Sequence, residues 1–175
     1  YMLQQLCDVI FVMGTPKHEP EGSLDVFNTI GCFVFDKTER RVVSLRNGKT
    51  IDILAIPEPR RGSYFGTSAE IDEQIQSDLN KLSIHKKEAH PFIVVYHGEV
   101  SGALYQNGIE AQSNIAISKS YLQAFNADYI ALGHIHTPQK ILENAYYAGS
   151  AAPKDFGEDH NGIFFVVNLF IIFLK

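Results

Sequence analysis

The chain has 175 residues, 45% of them hydrophobic and 20% charged, with a formal net charge of −5. That is enough apolar material for one folded domain with its own core, and the acidic balance excludes a general basic footprint for nucleic acid or an anionic membrane, although a metal site can reverse the local field. Two cysteines, Cys7 and Cys32, make neither a disulfide framework nor a C-x-x-C metal pair, and are read as buried thiols of a reducing compartment.

The first residues carry no basic n-region and no long apolar h-region, so no signal peptide is expected and the cytoplasm is the expected location. Residues 9–13 are a continuous apolar run closed by Gly14-Thr15-Pro16, the pattern of a buried strand running into a loop at its carboxyl end, where α/β sheets place their sites. The loop carries Lys17-His18-Glu19, and Ser23 is placed to cap a short helix through Leu24, Val26 and Phe27. Short β-rich runs fill residues 31–57, with an Asn47-Gly48 hairpin turn between the second and third, and Pro57 to Gly62 reads as a loop ending the sheet. Thr67 with Glu70 is a capping box, and Ile71, Ile75, Leu79 and Leu82 form one apolar stripe, which predicts a helix of roughly four turns. Residues 91–96 form the next buried strand and deliver His97 and Gly98. A helix over 118–126 then leads into a strand over 128–132, a β-α-β unit that favours parallel pairing. Residues 139–142, 145–148 and 163–169 read as closing strands. The apolar segment 163–174 is too short to span a bilayer, which needs ~20 residues. With no repeat or linker, residues 1–175 are expected to form a single α/β domain, helices lying outside a sheet or sheet pair.

The stretch Asp128 to His136 ends in Gly133-His134-Ile135-His136. If the strand continued, His134 and His136 would share one face and Ile135 would enter the core. Carboxyl ends of parallel strands converge on one crevice, so His18, His97, His134 and His136 can form one site despite their separation. Several imidazoles suit Zn, Mn or Fe, and two such ions ~3.5–4 Å apart would clamp a phosphate, which points to phosphoester hydrolysis. His85, His90 and His160 read as solvent-exposed. Ser150 and Asp155 are placed to shape a pocket, but without a G-x-S-x-G context a serine nucleophile is not expected. Arg60, Arg61, Lys86 and Lys87 are the most concentrated basic pairs, phosphate contacts if they face the crevice and solvated surface otherwise.

Tyr96-His97-Gly98-Glu99-Val100, Gly133-His134-Ile135-His136 and Tyr147 to Glu158 together resemble the later motifs of calcineurin-like metallophosphoesterases. The last block, with Asp128 to Gln139, is similar to the SbcD branch, the nuclease subunit of the SbcC-SbcD complex. The resemblance covers most of residues 8–169 and is strongest after residue 90. It implies a two-sheet sandwich flanked by helices (α-β-β-α) and a site with two divalent metal ions, Mn first and Fe or Zn as alternatives. His97 and His134 would ligate one metal and His136 the other. His18, with Glu19, stands where the family's G-N-H-[DE] motif places its catalytic histidine, which assists departure of the sugar oxygen. DNA as substrate, an SMC-like ATPase subunit of the SbcC type as partner, and homodimerisation follow from the same resemblance.

Two departures matter. Lys17 occupies the position of the family's metal-binding asparagine, and an ammonium cannot ligate; Thr15 or water is a possible substitute. The D-x-H and G-D-x-x-D motifs that open the family pattern are absent from these residues, so the chain is expected to start inside the domain, lacking the first βαβα elements and most of the hydrolytic activity. Asp8 precedes its strand and is not promoted to a bridging ligand. Alongside the nuclease stand a small-molecule phosphodiesterase or phosphatase of the same fold, and a binding module that keeps the fold without the metal chemistry.

Overall fold

The computed structural model describes residues 2–15, 20, 22–82, 90–113, 115–152 and 162–169. A short helix α1 (Met2–Leu6) precedes strand β1 (Ile10–Val12), followed by helix α2 (Asp25–Thr29) and strand β2 (Phe33–Phe35). Strands β3 (Glu39–Ser44) and β4 (Thr50–Ile56), helix α3 (Ser68–Leu82), strand β5 (Phe92–His97), helix α4 (Lys119–Ala124) and strand β6 (Tyr129–Gly133) come next, and β7 (Gln139–Leu142) and β8 (Ala145–Tyr147) close the series. β1 and β2 pair in parallel as a two-stranded sheet; the other six strands form one mixed sheet in the order β3-β4-β5-β6-β8-β7. Within it β4, β5, β6 and β8 are mutually parallel, and β3 and β7 run antiparallel on the two edges.

Side-chain alternation along β4 builds both layers of the interior. Leu54 and Ile56, with Val94 and Tyr96 of β5, face Ile75 and Leu79 of α3 and Leu122 of α4. Ile53 and Ala55, with Val43 and Ile51, face Phe35, Ile10 and Val12 of the smaller sheet. The architecture is therefore α/β, with the two sheets packed face to face and helices on the outer side of the larger one. Asp52 is fully buried in β4 and accepts from the Arg40 guanidinium, at 3.0 Å from Nε and 2.5 Å from Nη2, while that guanidinium lies 4.8 Å over the Phe92 ring.

Local chemistry explains most element ends. The β3–β4 turn is closed by Gly48 N–H donating to Leu45 O, with Gly48 alone at positive φ (+78°). It is thus a type I turn with a glycine bulge, not a type I′ turn in which Asn47 would also be left-handed. The capping box forms reciprocally: Thr67 N–H donates to Glu70 Oε2 at 2.7 Å, and Glu70 N–H reaches Thr67 Oγ1 at 3.5 Å. Ser118 caps α4 by accepting from Tyr121 N–H at 3.1 Å.

Several expectations are corrected. Ser23 does not cap α2, whose N-cap is Leu24 and has no side-chain bond. β1 is half-buried, because its sheet has two strands and leaves both edges open. Cys7 is exposed, just past the end of α1, while Cys32 is buried as expected. His90 is half-buried. Residues 162–169 form no strand. Apolar content alone does not make one, since a strand also needs an edge to pair with, and among the described strands none pairs with this segment. The segment instead rests Phe165 against Tyr146, at 4.9 Å between rings, and exposes Phe164 and Val166. Asp8, read as no metal ligand, accepts from the backbone N–H of Arg46 at 2.9 Å and from its guanidinium, which ties α1 to the β3–β4 turn. Among the described residues no helix is long and apolar enough to cross a membrane.

Candidate metal centre

The parallel ladder fixes which side chains meet. It pairs Ile56 with Tyr96 and His97 with Gly133. Glu58 and His134 therefore emerge one step past the level of His97, on the strands that flank it. One ligand atom from each of Glu58, His97 and His134 lies within 4.8 Å of the others, and all three residues are half-buried. Three consecutive parallel strands thus give one residue each, at their carboxyl ends, to a single cluster.

Glycine makes the close approach possible. A Cβ at Gly133 would lie 2.9 Å from His97 Nδ1, so the absence of a side chain there is what lets the His97 ring settle over β6. Its other nitrogen, Nε2, is 3.3 Å from Thr15 Oγ1, and the Thr15 hydroxyl donates to Glu58 Oε2 at 2.7 Å. The His97 and His134 rings meet edge to face with centroids 5.5 Å apart. β6 ends at Gly133, and His134 has φ +99°, outside the strand conformation and unusual for a residue with a side chain. The strand geometry expected for the two histidines therefore stops before either of them, although Ile135 does enter the core at 2% exposure.

Electrostatics inside the cluster are strongly coupled. His134 Nδ1 is 3.6 Å from Glu58 Oε2, and its Nε2 is 3.8 Å from Glu99 Oε1. The Glu58 carboxylate raises the His134 pKa above its ordinary value, against the opposing effect of burial, and Glu99 adds to the rise. The converse holds at Glu58, whose pKa His134 lowers while burial opposes and the Thr15 hydroxyl helps. Burial pushes Glu99 upward, but the Tyr105 hydroxyl and the Ser113 backbone N–H outweigh it and leave the carboxyl below its ordinary value. Glu58, Glu99 and His134 border a cleft of about 530 Å³, whose wall also includes Arg61, Asp72 and Tyr96. Arg61 donates to Asp72 at 2.6 Å, so one of the basic residues read from the sequence does face the crevice.

Two imidazoles and a carboxylate are a donor set for Zn, Mn or Fe. With bonds of about 2.1 Å, tetrahedral donors sit roughly 3.4 Å apart, close to the His134–Glu58 separation of 3.6 Å. All three donors, within 4.8 Å of one another, are within reach of one such ion. Of the residues singled out in the sequence, His97 and His134 are brought together. His136 falls outside the cluster; it is half-buried, and its carbonyl accepts from Ser150 N–H at 3.1 Å. His18, Lys17, Glu19, His85, Lys86, Lys87, Asp155 and His160 lie outside the described residues. Glu58 was missed by sequence reasoning because Pro57-Glu58-Pro59 looks like a solvated loop; the available signal was its place just past a parallel strand next to that of His97. No protein-family model and no curated protein sequence matches this chain.

Proposed function

We propose that this chain is a metal-dependent phosphoesterase of the calcineurin-like type, acting on phosphodiesters, with DNA cleavage of the SbcD kind as the favoured activity. The observation that carries the reading is the convergence of Glu58, His97 and His134 from three adjacent parallel strand ends beside one cleft. Glu58, His97 and His134 hold the ion, and Thr15 fixes the Glu58 carboxylate through its hydroxyl. A divalent ion bound there supplies Lewis-acid polarisation of a phosphoryl oxygen and a lowered pKa for water. Arg61, oriented by Asp72, presents a cation on the cleft wall toward a phosphate. His18 is assigned to the leaving oxygen on the sequence motif, as are His136 to a second ion, Mn as the first-choice metal, and an SMC-like ATPase partner and homodimerisation to the whole protein.

A small-molecule phosphodiester is the second reading, favoured by the modest cleft and by the acidic residues Glu58, Asp72 and Glu99 on its wall, which disfavour a polyanion.

The test is binding of Mn and Zn to the purified chain, followed by turnover of bis-p-nitrophenyl phosphate and of duplex DNA. Binding is expected to be lost in His97→Ala and His134→Ala and kept in His90→Ala, with weak metal-dependent turnover. No binding overturns the proposal. Turnover of the small ester without DNA cleavage selects the second reading, and binding without any turnover selects the binding module.

A further inference from the structure

Resting on the metal reading above, we propose that His134 ligates through Nδ1 and that Glu99 is its positioning residue, holding the Nε2–H on the far side of the ring. The two ring nitrogens face different carboxylates: Nδ1 is 3.6 Å from Glu58, which belongs to the ligand cluster, and Nε2 is 3.8 Å from Glu99, which does not. A ligating imidazole is neutral and keeps its proton on the nitrogen that does not bind. That proton then lies on the Glu99 side of the ring, where Oε1 is 3.8 Å from Nε2.

Glu99 is built to stay where it is. The Tyr105 hydroxyl donates to Oε1 at 2.5 Å, and the Ser113 backbone N–H donates to Oε2 at 3.0 Å. Both partners belong to the excursion between β5 and α4, which is folded back on itself by the bridges Val100–Ile117 and Leu104–Glu110. A carboxylate engaged at both oxygens is a poor candidate for swinging onto a metal and a good fixed acceptor. Carboxylates that orient a ligating histidine in this way set its tautomer and raise its donor strength, and removing them typically costs 10–100-fold in metal affinity.

The experiment uses the full chain with ¹⁵N-labelled histidine and Zn. Long-range ¹H–¹⁵N spectra are expected to show His134 metallated at Nδ1 and protonated at Nε2. Zn affinity, read by competition with a chromophoric chelator, is expected to fall about 10–100-fold in Glu99→Gln with stoichiometry unchanged, and less in Tyr105→Phe. Glu58→Gln serves as the ligand-loss comparator, and metal-free thermal unfolding checks that each variant folds. Metallation at Nε2 overturns the proposal without need of any variant. So does unchanged affinity in a folded Glu99→Gln, which leaves the metal reading intact. If the unmodified chain binds no Zn, the metal reading and this proposal fall together.

Discussion

Thr15, Glu58, His97 and His134 form a chain of contacts in which each polar atom is oriented by the next. The coupled pKa shifts give this group a pH signature in the metal-free protein. His134, raised above 6.5, contributes stability that is complete below that value and is lost as pH rises through its folded pKa. Glu58, lowered below 4.5, contributes above that value and loses its share as pH falls through its own folded pKa. Chelator-treated protein should therefore gain most from the pair between those limits. Urea midpoints at about pH 5.5 and pH 8.5 should differ by less in His134→Gln than in the parent, because the variant lacks the proton that the fold retains. His97 and His134 were legible because a polar residue that ends an apolar run has a defined place in a parallel sheet. Glu58 was not, because its neighbouring prolines mark a turn and say nothing of which strand end lies beside it.

Helix α3 shows local pattern and tertiary role in agreement. The stripe and capping box read from the sequence are the ones that fold, with Ile75 fully buried and Leu79 nearly so against β4 and β5. Ile75→Ala is expected to cost about 3 kcal/mol in urea unfolding, the usual range for a truncated core side chain being roughly 2–5. Metal affinity should be unchanged, since none of the three candidate ligands lies on α3. The hairpin and α4 were equally readable, each resting on short-range chemistry. Residues 162–169 were not, for their hydrophobicity is satisfied in part by ring contact with Tyr146 and they gain no ladder. The separation of β2 from its sequence neighbours β3 and β4 was also invisible, because it depends on which edge β1 offers.

Across the whole molecule, Asp52 and Arg40 place an ion pair inside the larger sheet. Asp52→Ala would leave the guanidinium without its carboxylate at a largely buried position, and a loss of about 3–5 kcal/mol is expected in equilibrium unfolding. The convergence of Glu58, His97 and His134 acts at the same scale. These residues are 39 (97 − 58) and 37 (134 − 97) positions apart, yet they meet at the ends of three adjacent parallel strands. An ion held by all three would join those strands as a cross-link that the unfolded chain cannot reproduce, so binding energy becomes folding energy. At free metal a hundredfold above Kd the gain is about 2.7 kcal/mol. The unfolding temperature should rise with metal concentration, return to its starting value on chelation, and rise far less in Glu58→Gln. The protein's thermal stability would then report the metal content of its surroundings, whatever substrate the cleft accepts.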